Sequence, residues 1–338
     1  LNCLYAGRWK LGFSSAAGSM SSINGSYDFA KDRKQFSRSI LKFDMIKNKF
    51  ANMIARTWES DTINYATTGS IDDSIKKLNV EDNDYYIKVQ KITEDHAIEA
   101  SICKIVGSEA LAYCADEGVQ IFGGSGFCEE YPAAGVYRDE RINRIFEGTN
   151  EINRLIISGT VLKKAILEEL PIRDVLITRR EKMWTNNDFD DNISKEADVI
   201  EYCKSLGLVV LDDIINIYGQ DFKNKQWLIE PFADIICSVS IMHNCFLRYN
   251  QLTSGNHKDN TLSVLKLTVS HHFNKILSRA KTINSHICEL MNFKDDNEKY
   301  DFCNIISSQK LNYFPDEICL KKNIVNEFYK QEKYYLNT

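Results

Sequence analysis

Apolar positions recur every three to four residues along most of this chain, and that period predicts helices almost throughout. Residues 1–31 carry Leu4, Leu11, Ala16, Ala17, Met20 and Ile23 with small residues between them, the pattern of a helix that packs closely on its neighbours. Residues 42–78 repeat Phe43, Ile46, Phe50, Met53, Ile54 and Trp58 in amphipathic register. A polar break is read at Gly69 and again at Asn79 to Asp84. Residues 91–117 put Ile98, Ile102, Ile105 and Ala112 on one face with Val106, Ala110 and Tyr113 beside it, and Glu117-Gly118 reads as a C-terminal cap. A fourth helix is expected over 150–168, where Ile152, Leu155 and Ile156 follow Thr149 or Asn150 as N-cap. Further helical patterns run at about 194–220, 226–254 and 260–293, with a shorter one near 317–334. With only four prolines in 338 residues, the fold class is all-α. Three parts are expected: a four-helix bundle domain over 1–168, a polar, irregular linker over 169–192, and a second helical domain over 193–338.

Composition narrows the function classes. An apolar content of 43% and a charged content of 26% are those of a soluble globular chain. A net charge of -5 with no basic stripe excludes a nucleic-acid partner. The ten cysteines form no C-x-x-C pair and no cluster with histidine, so no metal is expected, and they read as buried thiols in a reducing compartment. His243, His271 and His272 lack acidic or thiol partners at ligand spacing and are read as core or surface residues. No apolar run approaches the length of a membrane span. Because the chain begins Leu1-Asn2-Cys3, it is read as a fragment whose targeting cannot be judged.

Candidate chemistry concentrates between Val119 and Leu155. Glu147 stands in a turn just ahead of a helix, and Gly148 lets another molecule approach the backbone. Phe146 would desolvate the carboxylate and raise its pKa toward that of a general base, while the helix N-terminus pulls the other way. A solvated glutamate that complements the helix dipole is the plain alternative. Upstream, QIFGGSGF (120–127) suggests a phosphate-binding loop, yet a helix precedes it and no β-α-β pattern follows, which excludes a Rossmann motif. In AKDRKQF (30–36), Arg33 offers a guanidinium suited to bidentate phosphate binding.

Taken together, AKDRKQF, QIFGGSGF, RDERINRIF (138–146) and EGTNEI (147–152) resemble the C-terminal signature of the acyl-CoA dehydrogenases, closely over roughly residues 1–165. The resemblance implies an acyl-CoA dehydrogenase C-terminal helical bundle and FAD as cofactor. It implies Glu147 as the catalytic base taking the α-proton of a fatty acyl-CoA while the flavin accepts the β-hydride, giving a trans-2-enoyl-CoA in fatty acid β-oxidation. The thioester carbonyl would bond to the Glu147 N–H. By the same resemblance Arg33, Gln35, Gln120, Gly123, Gly124 and Thr149 contact FAD, the glycine loop reaching a cofactor held mainly by a neighbouring subunit. Phe146, Gly148 and Arg8 line the substrate side, and Arg138, Asp139 and Arg141 form a charged network ahead of the base. Glu151 departs from the glutamine of medium-chain members. The added helical region after 168 and Phe146 match the very-long-chain type, implying long-chain acyl-CoA substrates.

Implied partners are an electron-transfer flavoprotein and a second copy, in a homodimer or homotetramer. The location would be cytoplasmic for a bacterial source and mitochondrial for a eukaryotic one. Family subunits place a helical domain and a β domain ahead of this region, so the chain would supply the base and part of the FAD site. Two rival readings are a non-catalytic helical dimerisation or docking module and an acyl-CoA oxidase.

Overall fold

The computed structural model describes residues 2–169, 175, 194–252, 256–291, 311 and 313–336. The helices are α1 (Asn2–Asp32), α2 (Asp44–Ile75), α3 (Tyr85–Asp95), α4 (Ala97–Phe122), α5 (Gly124–Phe127), α6 (Pro132–Glu140), α7 (Asn150–Ile166), α8 (Ser194–Tyr218), α9 (Gln226–Gln251), α10 (Asn256–Leu290) and α11 (Glu317–Gln331). The described strands, β1 (Lys34–Gln35) and β2 (Arg38–Ser39), form one small antiparallel hairpin. The all-α reading holds.

Three local expectations change. Gly69 does not break a helix, because α2 runs through it to Ile75. The helix expected over 91–117 is two, divided at His96, and the second continues to Phe122. Gly118 is therefore not a cap. It faces α1, where a Cβ would lie 3.1 Å from Ser22 Oγ, and the helix ends instead at Gly123 with φ at +61°.

The described chain divides into two compact units whose membership is interleaved, whereas contiguous domains were expected. One unit contains Leu1–Asn153, Leu247–Thr268 and Asp316–Thr338; the other contains Arg154–Phe246 and Val269–Pro315. The expected linker at 169–192 lies, apart from Glu169 and Val175, outside the described residues.

In the first unit α4 is the central helix, buried on nearly every side. It lies against α1 at backbone distance: a Cβ on Gly107 would fall 2.9 Å from Gly12 Cα. Ser22 Oγ donates to the Cys114 carbonyl at 2.9 Å across the same seam. The C-terminal helix α11 belongs to this unit because its Phe328 enters the aromatic core, 5.1 Å from the ring of Tyr27 and 5.4 Å from that of Phe50. Arg248 ties the middle segment in, donating to Asp61 Oδ2 at 2.8 Å and to the Leu336 carbonyl at 3.2 Å.

The second unit has its own core, with Cys203, Ile214, Phe222, Phe232, Phe273 and Ile276 buried. Its polar centre is Asp234, 2% exposed. Arg154 donates to Oδ1 through Nε at 3.1 Å and Nη2 at 3.0 Å, Arg279 donates to Oδ2 through Nε at 3.0 Å and pairs through Nη2 at 2.8 Å, and Lys275 stands 3.6 Å away.

Of the described cysteines, Cys103, Cys114 and Cys203 are buried free thiols, and Cys237 and Cys245 are buried, as expected. Cys128 and Cys319 are exposed, and Cys288 is disulfide-bonded, which corrects that expectation at three positions. Among the described residues no His, Cys, Asp and Glu group is arranged to hold a metal, and no helix is long and apolar enough to cross a membrane.

Burial pushes the Asp234 carboxyl up, but Lys275, Arg154 and Arg279 outweigh it and hold it below the usual carboxylate range. A depressed folded value contributes stability that is complete above the unfolded value, about 4, and is lost as pH falls through the folded one. Asp234→Asn should therefore cost about 1–3 kcal/mol at pH 7, because the buried charge that Arg154, Arg279 and Lys275 share is removed. It should also flatten the loss of stability below pH about 4, read from denaturant midpoints at a series of pH values.

Candidate functional site

Glu147 sits where the chain leaves a short 3-10 turn (Arg141–Arg144) and enters α7. Both Glu147 and Gly148 adopt left-handed backbone, with φ of +58° and +80°. For glycine this is free of strain; for glutamate it costs about 1–3 kcal/mol, so the surroundings must enforce it. Arg8, 2% exposed, supplies one restraint by donating from Nε to the Glu147 carbonyl at 3.1 Å. Asn153 supplies another, its amide donating to the carbonyls of Gly148 at 2.8 Å and Thr149 at 3.0 Å. Thr149 is the N-cap, accepting from the Ile152 N–H at 3.3 Å.

The turn aims the Glu147 side chain at α1. A Cβ on Gly7 would lie 2.5 Å from Cδ and from both carboxylate oxygens. Among the described residues, Oε2 of Glu147 is buried with no hydrogen-bond partner, and so is Nη1 of Arg8. Burial lowers the Arg8 pKa, while Tyr5 and Glu147 act to raise it, and the guanidinium carbon stands 5.1 Å above the Tyr5 ring. A carboxylate oxygen with no protein donor to satisfy it is chemically available to an incoming proton.

The remaining expected residues form a second group. At the far end of α1, Arg33 precedes the β1–β2 hairpin and Gln35 lies in β1; both are exposed. The hairpin tip, Phe36 and Ser37, has positive φ at both residues, the geometry of a two-residue β-turn. Gln120, Gly123 and Gly124 lie exposed at the C-terminal end of α4. The two helix ends are joined by aromatic packing: Phe29 and Phe122 stack with centroids 4.1 Å apart, and Tyr131 sets its edge to both at 6.2 Å. A Cβ added to Gly123 or to Gly124 would meet no atom within 4 Å, so the backbone there faces open space. An exposed guanidinium beside an open glycine turn is a fitting donor set for the phosphates of a dinucleotide. From Arg8 to Arg33, 25 positions of helical rise separate the two groups by roughly 37 Å.

The expected charged network has other members. Arg138 pairs with Glu129 at 2.9 Å on the surface, whereas the buried acid is Glu140, 3.3 Å from Arg144. Phe146, assigned to the substrate side, is 44% exposed. Sequence reasoning passed over Arg144, which lines a cavity of about 300 Å³ with Arg56, Glu109, Tyr113, Asp116 and Tyr137. It also passed over Lys104 and read Asn150 only as an alternative N-cap, whereas the two pair just behind the Glu147 turn: Lys104 Nζ donates to Asn150 Oδ1 at 2.6 Å. The available signal for Lys104 was a lone cation inside the apolar run SICKIVGSEALA.

Residues 1–162, which carry the left-handed glutamate turn braced by Arg8 and the exposed glycine turn, match the family described as acyl-CoA dehydrogenase, C-terminal domain. A probable acyl-CoA dehydrogenase of Bacillus subtilis (strain 168) is 33% identical over 286 residues, 83% of this chain and 48% of that protein. The very long-chain specific acyl-CoA dehydrogenase, mitochondrial, of Homo sapiens is 34% identical over 158 residues, 47% of this chain and 21% of that protein. The crystal structure of an acyl-CoA dehydrogenase complexed with FAD from Bacillus anthracis superposes with a TM-score of 0.91 at 30% identity, covering 99% of this chain and 56% of that one. The chain thus spans about half the length of these Bacillus relatives.

The Gly7 contact yields a test of the site's geometry. Gly7→Ala should leave stability unchanged or raised by up to about 1 kcal/mol, because the helix gains propensity and the clash falls on the end of a flexible side chain. The Glu147 carboxylate should swing away from α1. Thermal melting and a crystal structure of the variant check the two halves of this expectation.

Proposed function

We propose that this chain is part of a flavin-dependent acyl-CoA dehydrogenase and that Glu147 is its catalytic base. The observation that carries the reading is the buried, unpartnered Oε2 of Glu147, held against α1 by a strained turn that Arg8 braces. A base needs a carboxylate oxygen kept free of competing donors, and Oε2 has none among the described residues. Glu147 takes the α-proton of a fatty acyl-CoA thioester as the double bond of the trans-2-enoyl-CoA forms. FAD, when bound, supplies the acceptor for the β-hydride. Thr149, at the N-cap, and Gly148 border the same turn and bear on the ring side of the cofactor and the substrate.

Arg33, Gln35, Gln120, Gly123 and Gly124 serve a different cofactor molecule from the one that Glu147 faces. The separation of roughly 37 Å along α1 supports this, since it exceeds the reach of one extended dinucleotide. The working unit is accordingly a homodimer or a higher assembly built from it. The resemblance over 158 residues to a very long-chain specific enzyme supports long-chain substrates, with β-oxidation as the setting. Electrons pass to an electron-transfer flavoprotein; release of peroxide during turnover would favour the oxidase reading instead.

Two variants test the proposal. In the flavin-loaded protein, palmitoyl-CoA should bleach the flavin absorption, and Glu147→Gln should slow that bleaching by about 10²–10⁴-fold with melting unchanged; wild-type bleaching in Glu147→Gln removes the assignment. A Cβ at Gly124 meets nothing within 4 Å among the described residues, so Gly124→Val should fold normally yet purify with little flavin. A flavin-loaded Gly124→Val dimer would show that the glycine turn does not face a cofactor.

A further inference from the structure

Lys104 is fully buried in the middle of α4. Placing an ammonium there is costly, and an apolar side chain of the same volume would hold the helix seam at least as well. Its 2.6 Å bond runs to Asn150, the first residue of α7 and only three positions after Glu147. The N-terminus of a helix carries partial positive charge, so a cation beside it opposes the helix dipole. Stability alone therefore does not account for a lysine at this position.

Its geometry accounts for it better. Asn150, 4% exposed, is gripped from three residues of α4. Its Oδ1 accepts from Lys104 and, at 3.3 Å, from Ser108 Oγ, while its Nδ2 donates to Ser108 Oγ and to Glu109 Oε1, each at 3.2 Å. Arg8 fixes the Glu147 carbonyl from α1, and Asn153 fixes the two carbonyls between. The strained pair Glu147-Gly148 is thus held on one side by α1 and on the other by α4, and the α4 side closes through Asn150. Of the two α4 side chains that donate to that oxygen, Lys104 makes the shorter bond, 2.6 Å against 3.3 Å from Ser108.

We infer that Lys104, acting through Asn150, is a positioning residue that holds the Glu147 turn in register against α1. The inference rests on the reading of Glu147 as the base. Lys104 itself touches neither substrate nor cofactor. Losing its bond lets the first turn of α7 relax, and the carboxylate then spends less time at the reacting α-carbon.

The test compares Lys104→Met, Asn150→Leu and the double variant in the flavin-loaded full chain, by single-turnover flavin reduction with palmitoyl-CoA. Lys104→Met should keep or raise the melting temperature while the reduction rate per bound flavin falls at least tenfold. KM should stay within about twofold, and the isotope effect from deuterium at the substrate α-carbon should increase. Because Asn150 also bonds Ser108 and Glu109, Asn150→Leu should lose at least as much rate as Lys104→Met, and the double variant should lose no more than Asn150→Leu, since Lys104 acts only through Asn150. A wild-type reduction rate per bound flavin in Lys104→Met or in the double variant overturns the inference. If Glu147→Gln itself reduces flavin at the wild-type rate, the base assignment fails. If Glu147→Gln is inactive and Lys104→Met is not, only the positioning role fails.

Discussion

The backbones of α1 and α4 lie close enough that Gly107 cannot carry a side chain without displacing the backbone at Gly12, and every feature of the site depends on that approach. At one end of α1 it brings Gly7 and Arg8 against the Glu147 turn. At the other it brings Phe29 onto Phe122, so that the hairpin and the glycine turn share one end of the bundle. Interiors packed at crystal-like density transmit small displacements instead of absorbing them. A change at the middle of this seam would therefore be felt at both ends.

The Glu147 turn shows how such a frame holds an unfavourable conformation. Left-handed backbone at a glutamate persists only where the surroundings over-determine it. Here the restraints come from separate elements: Arg8 from α1, Asn153 from within α7, and Asn150 with its partners on α4. Each bond is worth on the order of 1 kcal/mol net, more where a charge is involved. Together they exceed the cost of the turn, which is why it is held rather than sampled.

Much of this was legible in the sequence, for identifiable reasons. Long helices such as α1 and α2 declare themselves because a 3.6-residue apolar period survives over many turns. The small residues of α1 pointed correctly to close packing, as did Thr149 to a cap. The position of Arg8 beside Glu147 came from resemblance, since no local rule joins residues 139 positions apart. The break at His96, the buried role of Gly118 and the pairing of Lys104 with Asn150 were hidden for a common reason. Each is decided by what a second helix presents, and a window on one segment carries no record of its neighbour. The interleaving of the two compact units has the same cause: α11 reads as one more amphipathic helix, and only the aromatic core it completes assigns it to the unit of α1 and α2.

That return of α11 has a bearing on biosynthesis. Phe328 completes the core around Tyr27 and Phe50, yet the ribosome delivers it only after the whole second unit has been made. The first unit therefore cannot close in the order of translation, and α1 and α2 must wait for a segment synthesised after the second unit. Contacts of such long sequence separation slow folding and lengthen the exposure of sticky surface. For a nascent chain of this design, dependence on chaperones is set by the distance in sequence between a helix and the aromatic ring that covers it.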